Sequence, residues 1–210
     1  GIARGKSIVA LEYRGGVLLT AENTTELSKL GEIYDRIAFA GVGKFSEFDQ
    51  LRKLGVRYAD TRGYAYSRDD VRAKGLANAY SQAMGEVFTR ELKPLEVEVI
   101  VAEVGDDTLA GHEDNAIYRV QFDGSISDHD GFCVIGGAAE ELGSLERAEY
   151  REGLALRDAL LLGYRALQRA ADREPNVTAD NLEVCLLERQ RAGRKFMRLD
   201  TDTLRGHLGT

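Results

Sequence analysis

A chain of 210 residues with 43% apolar content is long enough for one well-buried domain. Charged residues make up 30% of it, and the formal net charge of −7 with scattered Lys and Arg argues against a general nucleic-acid surface. No apolar run approaches the ~20 residues that cross a bilayer, and Gly1-Ile2-Ala3-Arg4-Gly5-Lys6 lacks the apolar core of a secretory signal, so a cytoplasmic protein is expected.

Ser7 to Tyr13 and Val17 to Glu22 are short apolar runs around Arg14-Gly15-Gly16, a hairpin signal because glycine supplies the positive φ of a tight turn. Ile37 to Gly43 is a third strand. All three are apolar at nearly every position, as strands covered on both faces are. The period then changes. Phe45, Phe48, Leu51 and Tyr58 form a helical stripe interrupted near Gly55, and Thr61-Arg62-Gly63-Tyr64 is turn-like. Leu76, Tyr80, Ala83, Val87 and Phe88 form a cleaner stripe that ends before Pro94.

Strands resume at Val97 to Val104, Ile117 to Phe122 and Phe132 to Ile135, with a turn at Asp123-Gly124 between the last two and a polar loop over 105–115. A helical block runs from Ala138 to about Ala171, with Leu156, Leu160, Tyr164, Leu167 and Ala171 on one face. Strands at Leu182 to Leu187 and Lys195 to Leu199 and a short helix over 201–208 close the chain. Strands buried on both faces, with helices arriving as two pairs, predict a four-layer αββα sandwich across one domain, 1–210.

Gly5-Lys6-Ser7 resembles the tail of a phosphate-binding loop, but a strand follows where the phosphate-holding helix should begin. His112, His129 and His207 have no metal-ligand spacing with Cys133 or Cys185, so no metal or cofactor is expected. Both cysteines lie in apolar runs and read as reduced core thiols. Asn176-Val177-Thr178 matches a glycosylation sequon without a secretion signal to give it meaning. Nothing looks like an assembled active site.

Several long, ordered stretches resemble proteasome α subunits, the actinobacterial-type branch most closely. They are the run from Gly1 to Leu11, Gly16 to Asn23, Lys29 to Phe48, Ala59 to Tyr66, Leu76 to Gln82, Lys93 to Val99 and Tyr118 to Ile126. The resemblance covers nearly the whole chain and weakens after about Gly137. It implies the N-terminal-nucleophile-hydrolase fold, a homo-heptameric α ring stacked on proteolytic β subunits, and docking of a ring-shaped ATPase activator by its C-terminal tails. Family α subunits carry a gate strand and helix ahead of the Arg4-Gly5-Lys6 position. That segment is absent from this sequence, and a ring of these residues alone is expected to lack its plug.

The β-type relatives need a chain-terminal Thr, Ser or Cys whose own amine acts as base. Here that place holds Arg4 or Gly5, and the first hydroxyl, Ser7, lies inside the strand with a peptide nitrogen. Glu22 and Lys29 align with residues that support the threonine, but without a nucleophile the resemblance implies a non-catalytic subunit. The alternative is an active threonine peptidase related to β subunits. By the same resemblance Lys29 receives the activator's terminal carboxylate, or is simply a solvated lysine before a strand. Gly5 lines that pocket or serves turn geometry. Lys44 adds a second positive charge or merely begins a helix. Phe45, Phe48 and Leu51 are expected at the contact with the opposing ring.

Overall fold

The computed structural model describes residues 7–23, 27–170 and 177–209. In chain order the first half runs β1 (Ile8–Tyr13), β2 (Gly16–Glu22), β3 (Leu30–Tyr34), β4 (Ile37–Gly43), α1 (Phe45–Ala65) and α2 (Ala73–Arg90). The second half runs β5 (Val97–Glu103), β6 (Ala116–Val120), β7 (Ile126–His129), β8 (Phe132–Ile135), α3 (Ala139–Glu149), α4 (Leu156–Ala170), β9 (Leu182–Glu188), β10 (Phe196–Arg198) and α5 (Thr201–Leu208).

The strands form two five-stranded sheets, ordered β10-β9-β2-β1-β8 and β3-β4-β5-β6-β7. Every pairing is antiparallel. Strand periodicity sends Ile8 and Ala10 of β1 and Ile100 and Ala102 of β5 into one core between the sheets. Val9 and Leu11 of β1 meet Leu142, Leu160 and Leu167 of α3 and α4. Val97, Val99 and Val101 of β5 meet Leu76, Tyr80 and Met84 of α2. The expected αββα order of layers is therefore present.

Cys133, Ala10, Leu19 and Cys185 stand side by side on β8, β1, β2 and β9. Three strand spacings separate the two thiols by about 14 Å, too far for a disulfide. Both are free and buried, and burial pushes each up to about 12.

Helix α1 is unbroken through Gly55 and through 61–64, against the expected interruption and turn. Glycine inside a helix costs about 1 kcal/mol relative to alanine, yet here packing demands it. A Cβ on Gly55 would lie 1.8 Å from the Tyr80 hydroxyl of α2, and one on Gly63 would lie 2.2 Å from the Tyr34 hydroxyl. The turn at Asp123-Gly124 forms, with Gly124 at φ +87°, but it leads into β7, a polar edge strand that apolar patterning does not reveal. Helix α2 begins three residues ahead of the expected Leu76, because the buried carboxylate of Glu103 accepts from the Ala73 amide at 3.0 Å.

Glu146 faces the core from α3, 0% exposed, and neither carboxylate oxygen has a hydrogen-bond partner among the described residues. Burial, reinforced by Glu149, raises its pKa to about 7. Folding therefore favours the protonated acid. Stability is fullest below the ordinary glutamate range and falls as pH rises through 7, by about 3 kcal/mol in total. Glu146→Gln should be more stable than the parent at pH 8 and equal to it near pH 4.5. Urea midpoints across that range would show the flattened slope; parallel curves would mean that Glu146 ionises freely in the folded chain.

Candidate functional site

The place aligned with the nucleophile of the catalytic branch, Arg4 or Gly5, lies outside the described residues, and the first hydroxyl after it belongs to Ser7. Ser7 is 6% exposed, and its hydroxyl accepts from the Ala138 amide at 3.2 Å. Its nitrogen is bonded to Lys6, so the amine–hydroxyl pair that N-terminal nucleophile chemistry requires is missing. Glu22 ends β2, buried and paired in register with Leu182. His112 accepts at Nδ1 from Arg36 at 3.0 Å, since a guanidinium can only donate, and His129 meets the Ser127 hydroxyl at 2.8 Å. Among the described residues no three His, Cys, Asp or Glu side chains cluster to hold a metal ion.

The residues expected to meet an activator lie along the β3–β4 rim, apart from Gly5, which falls outside the described residues. Lys29 is half-buried, immediately before β3, and its carbonyl accepts from the Gly41 amide at 3.1 Å. Lys44 is exposed and caps the start of α1; its amide donates to the Glu96 carbonyl at 3.0 Å, and its own carbonyl accepts from the Glu47 and Phe48 amides. Gly43 before it has φ +115°, and a Cβ there would lie 1.9 Å from the Glu96 carbonyl oxygen, so only glycine lets the chain turn this tightly into α1. Lys29 stands opposite Gly41 at the start of β3, and Lys44 follows three residues later, beyond the turn at Gly43.

Beside this rim a groove of about 600 Å³ is lined by Ser28, Leu30, Gly31, Phe45, Arg52, Phe196 and Arg198, among others. Its arginines are matched by carboxylates: Arg52 with Asp49 at 3.0 Å, Arg194 with Glu32 at 2.6 Å, Arg198 with Glu183 at 2.9 Å. Phe45, half-buried, borders the groove and stacks edge-on with Phe48 at 4.9 Å.

Phe48 and Leu51 are each 5% exposed and belong to the chain's own core with Phe39 and Tyr80. In the single chain they offer little surface of their own, though Leu51 also lines the α1–α2 groove described below. Helical periodicity turns them onto β4, where Phe48 fills the space a side chain at Gly41 would need. The outward side of α1 carries Leu54, 39% exposed. With Val87 and Leu95 it forms an apolar groove of about 380 Å³, bordered by Lys53 and Arg57.

Sequence reasoning missed Glu183, Arg198 and Asn23, which organise the approach to β3. Their side chains are ordinary polar residues in an apolar context, and no local spacing marks them. Only the crossing from one sheet to the other brings them together.

The comparisons with known proteins agree with this geometry. A family model described as "Proteasome subunit" matches residues 2–187. The "Proteasome subunit alpha" of Xylanimonas cellulosilytica is 52% identical over 95% of this chain and 84% of its own length. That of Sanguibacter keddieii is 51% identical over 95% of this chain and 78% of its length. That of Kineococcus radiotolerans is 46% identical over 99% and 89%. With the family model spanning most of the chain and identity to α subunits sustained across both sheets, the chain belongs to the proteasome subunit family, among its non-catalytic α-type members.

Proposed function

We propose that this chain forms the homo-heptameric outer ring of a cytoplasmic proteasome core particle, stacks on a ring of β subunits, and gates the admission of protein substrates. Ring-shaped ATPase activators dock on it by inserting their C-terminal tails at the Lys29–Lys44 rim, with Gly5 lining the same pocket. The observation that carries this reading is that Lys29, half-buried ahead of β3, and Lys44, exposed at the start of α1, are each held through their backbones beside an open groove. A terminal carboxylate meeting a half-buried ammonium makes a strong charge-assisted hydrogen bond. The apolar α1–α2 groove around Leu54 supports the stacking contact with β subunits.

Native mass spectrometry of the chain co-expressed with β subunits tests the assembly. Stacked heptameric rings with peptidase activity are expected, and a persistently monomeric chain beside separately active β subunits would refute it. Labelling the particle with an electrophile selective for N-terminal threonine should mark the β subunits alone. Stoichiometric modification of this chain would instead establish the peptidase alternative.

A further inference from the structure

β2 lies in one sheet and β3 in the other, and at the entry to β3 the amides of Lys29 and Leu30 need acceptors that side chains can supply. Buried or half-buried amides left without one are costly. Here it comes from one side chain. Glu183 of β9 is 11% exposed. Its Oε2 accepts from the Lys29 amide at 3.2 Å and from Asn23 Nδ2 at 3.0 Å, and its Oε1 accepts from the Leu30 amide at 3.3 Å. Asn23 Nδ2 also donates to the Leu27 carbonyl at 2.9 Å, which ties both ends of the crossing together. Arg198 of β10 donates to Glu183 Oε1 at 2.9 Å and to the Leu30 carbonyl. Its guanidinium thus holds the carboxylate in place and satisfies the next main-chain acceptor.

We infer that Glu183 is the positioning residue of the tail-docking site: its carboxylate, steadied by Arg198, holds the backbone from which Lys29 reaches a partner's terminal carboxylate. The inference rests on the docking reading above. It assigns Glu183 a role opposite in sign to that of its charge. As a bare anion near the rim, Glu183 would repel an incoming carboxylate, and removing its charge would tighten binding. As the anchor of the Lys29 backbone, it strengthens binding, and removing it lets the ammonium drift from the position that a charge-assisted bond requires.

The test uses assembled rings and two forms of one activator-tail peptide, the free acid and the C-terminal amide, with affinities measured by surface plasmon resonance. In unaltered rings the acid should bind more tightly than the amide. In Glu183→Gln rings the glutamine carbonyl still accepts a hydrogen bond, but its NH2 opposes the donors of Asn23 or Arg198. The acid-to-amide affinity ratio should then fall about tenfold, the worth of roughly one hydrogen bond to a charged group. Amide hydrogen exchange at Lys29 and Leu30 should quicken in the same rings. A fold-stabilising role alone would weaken both peptides equally and leave the ratio unchanged, which would overturn the inference, as would a rise in the ratio. If the two peptides bind unaltered rings alike, the docking reading fails instead. Should Glu183→Gln rings not assemble, Asn23→Ala, which removes one donor to the same carboxylate, is expected to lower the ratio in the same direction. An unchanged ratio in those rings overturns the inference.

Discussion

Phe48→Asp should unfold the isolated chain before any question of ring contacts arises. Phe48 is 5% exposed and packs against the Gly41 backbone, with Phe45 edge-on beside it. Removing a buried phenylalanine costs about 3–5 kcal/mol, and an unpaired buried carboxylate costs several more. That sum rivals the ~5–15 kcal/mol that holds an ordinary domain together. Circular dichroism of the isolated chain should show no cooperative melt, and Leu51→Asp should behave alike. Leu54→Asp is the contrasting substitution. Its side chain is 39% exposed, so the monomer should lose only about 1 kcal/mol, while stacking on β subunits fails in native mass spectra. A Phe48→Asp chain that melts within a few degrees of the parent would show that α1 does not depend on this contact. Leu54→Asp double rings that form normally would remove the α1–α2 groove from the stacking surface.

The layer order was legible because the strands buried on both faces leave a plain mark. Val9 and Leu11 serve one core while Ile8 and Ala10 serve another, and a run without alternation says as much. Helix continuity at Gly55 was not legible. The local signal is a helix breaker, and the reason for it is the Tyr80 hydroxyl, 25 positions later and in another helix. Strands β3 and β7 escaped for a related reason. Both lie at sheet edges, where Leu30–Tyr34 and Ile126–His129 mix polar and apolar residues too evenly for a period to stand out.

The candidate site divides in the same way. Lys29 and Lys44 came from the resemblance, and the seat of Lys29 opposite Gly41 follows from the β3–β4 pairing, which no spacing in the sequence encodes. Phe48 and Leu51 show that a helical stripe reveals a buried face without naming its partner. The chain's own sheet claimed that stripe. Glu183 is the clearest omission: it lies 154 positions from Lys29 and becomes its neighbour only when the β2–β9 pairing closes.

Lys29→Ala should abolish docking of the activator while leaving rings intact. The bonds that fix this residue's backbone are main-chain ones, its amide to Glu183 and its carbonyl from Gly41, and truncating the side chain spares them. Assembly should be unchanged in native mass spectra, and the loss of the side chain's own surface contacts should cost no more than about 1 kcal/mol. The loss of binding should be far larger. A tail carboxylate left desolvated and unpaired forfeits about 2–5 kcal/mol. Several tails engage one ring, so the deficit grows with each through the loss of effective concentration. Lys29→Arg keeps the charge but replaces a compact ammonium with a planar fork of different reach, so partial recovery is expected. Affinity for the intact activator, measured by surface plasmon resonance, is the proper readout, because peptide hydrolysis also reports the state of the gate. Lys44→Ala should weaken binding by a smaller factor, its exposed ammonium acting through a screened field. Activator affinity unchanged in Lys29→Ala rings of correct mass would return Lys29 to the ordinary lysines of the surface.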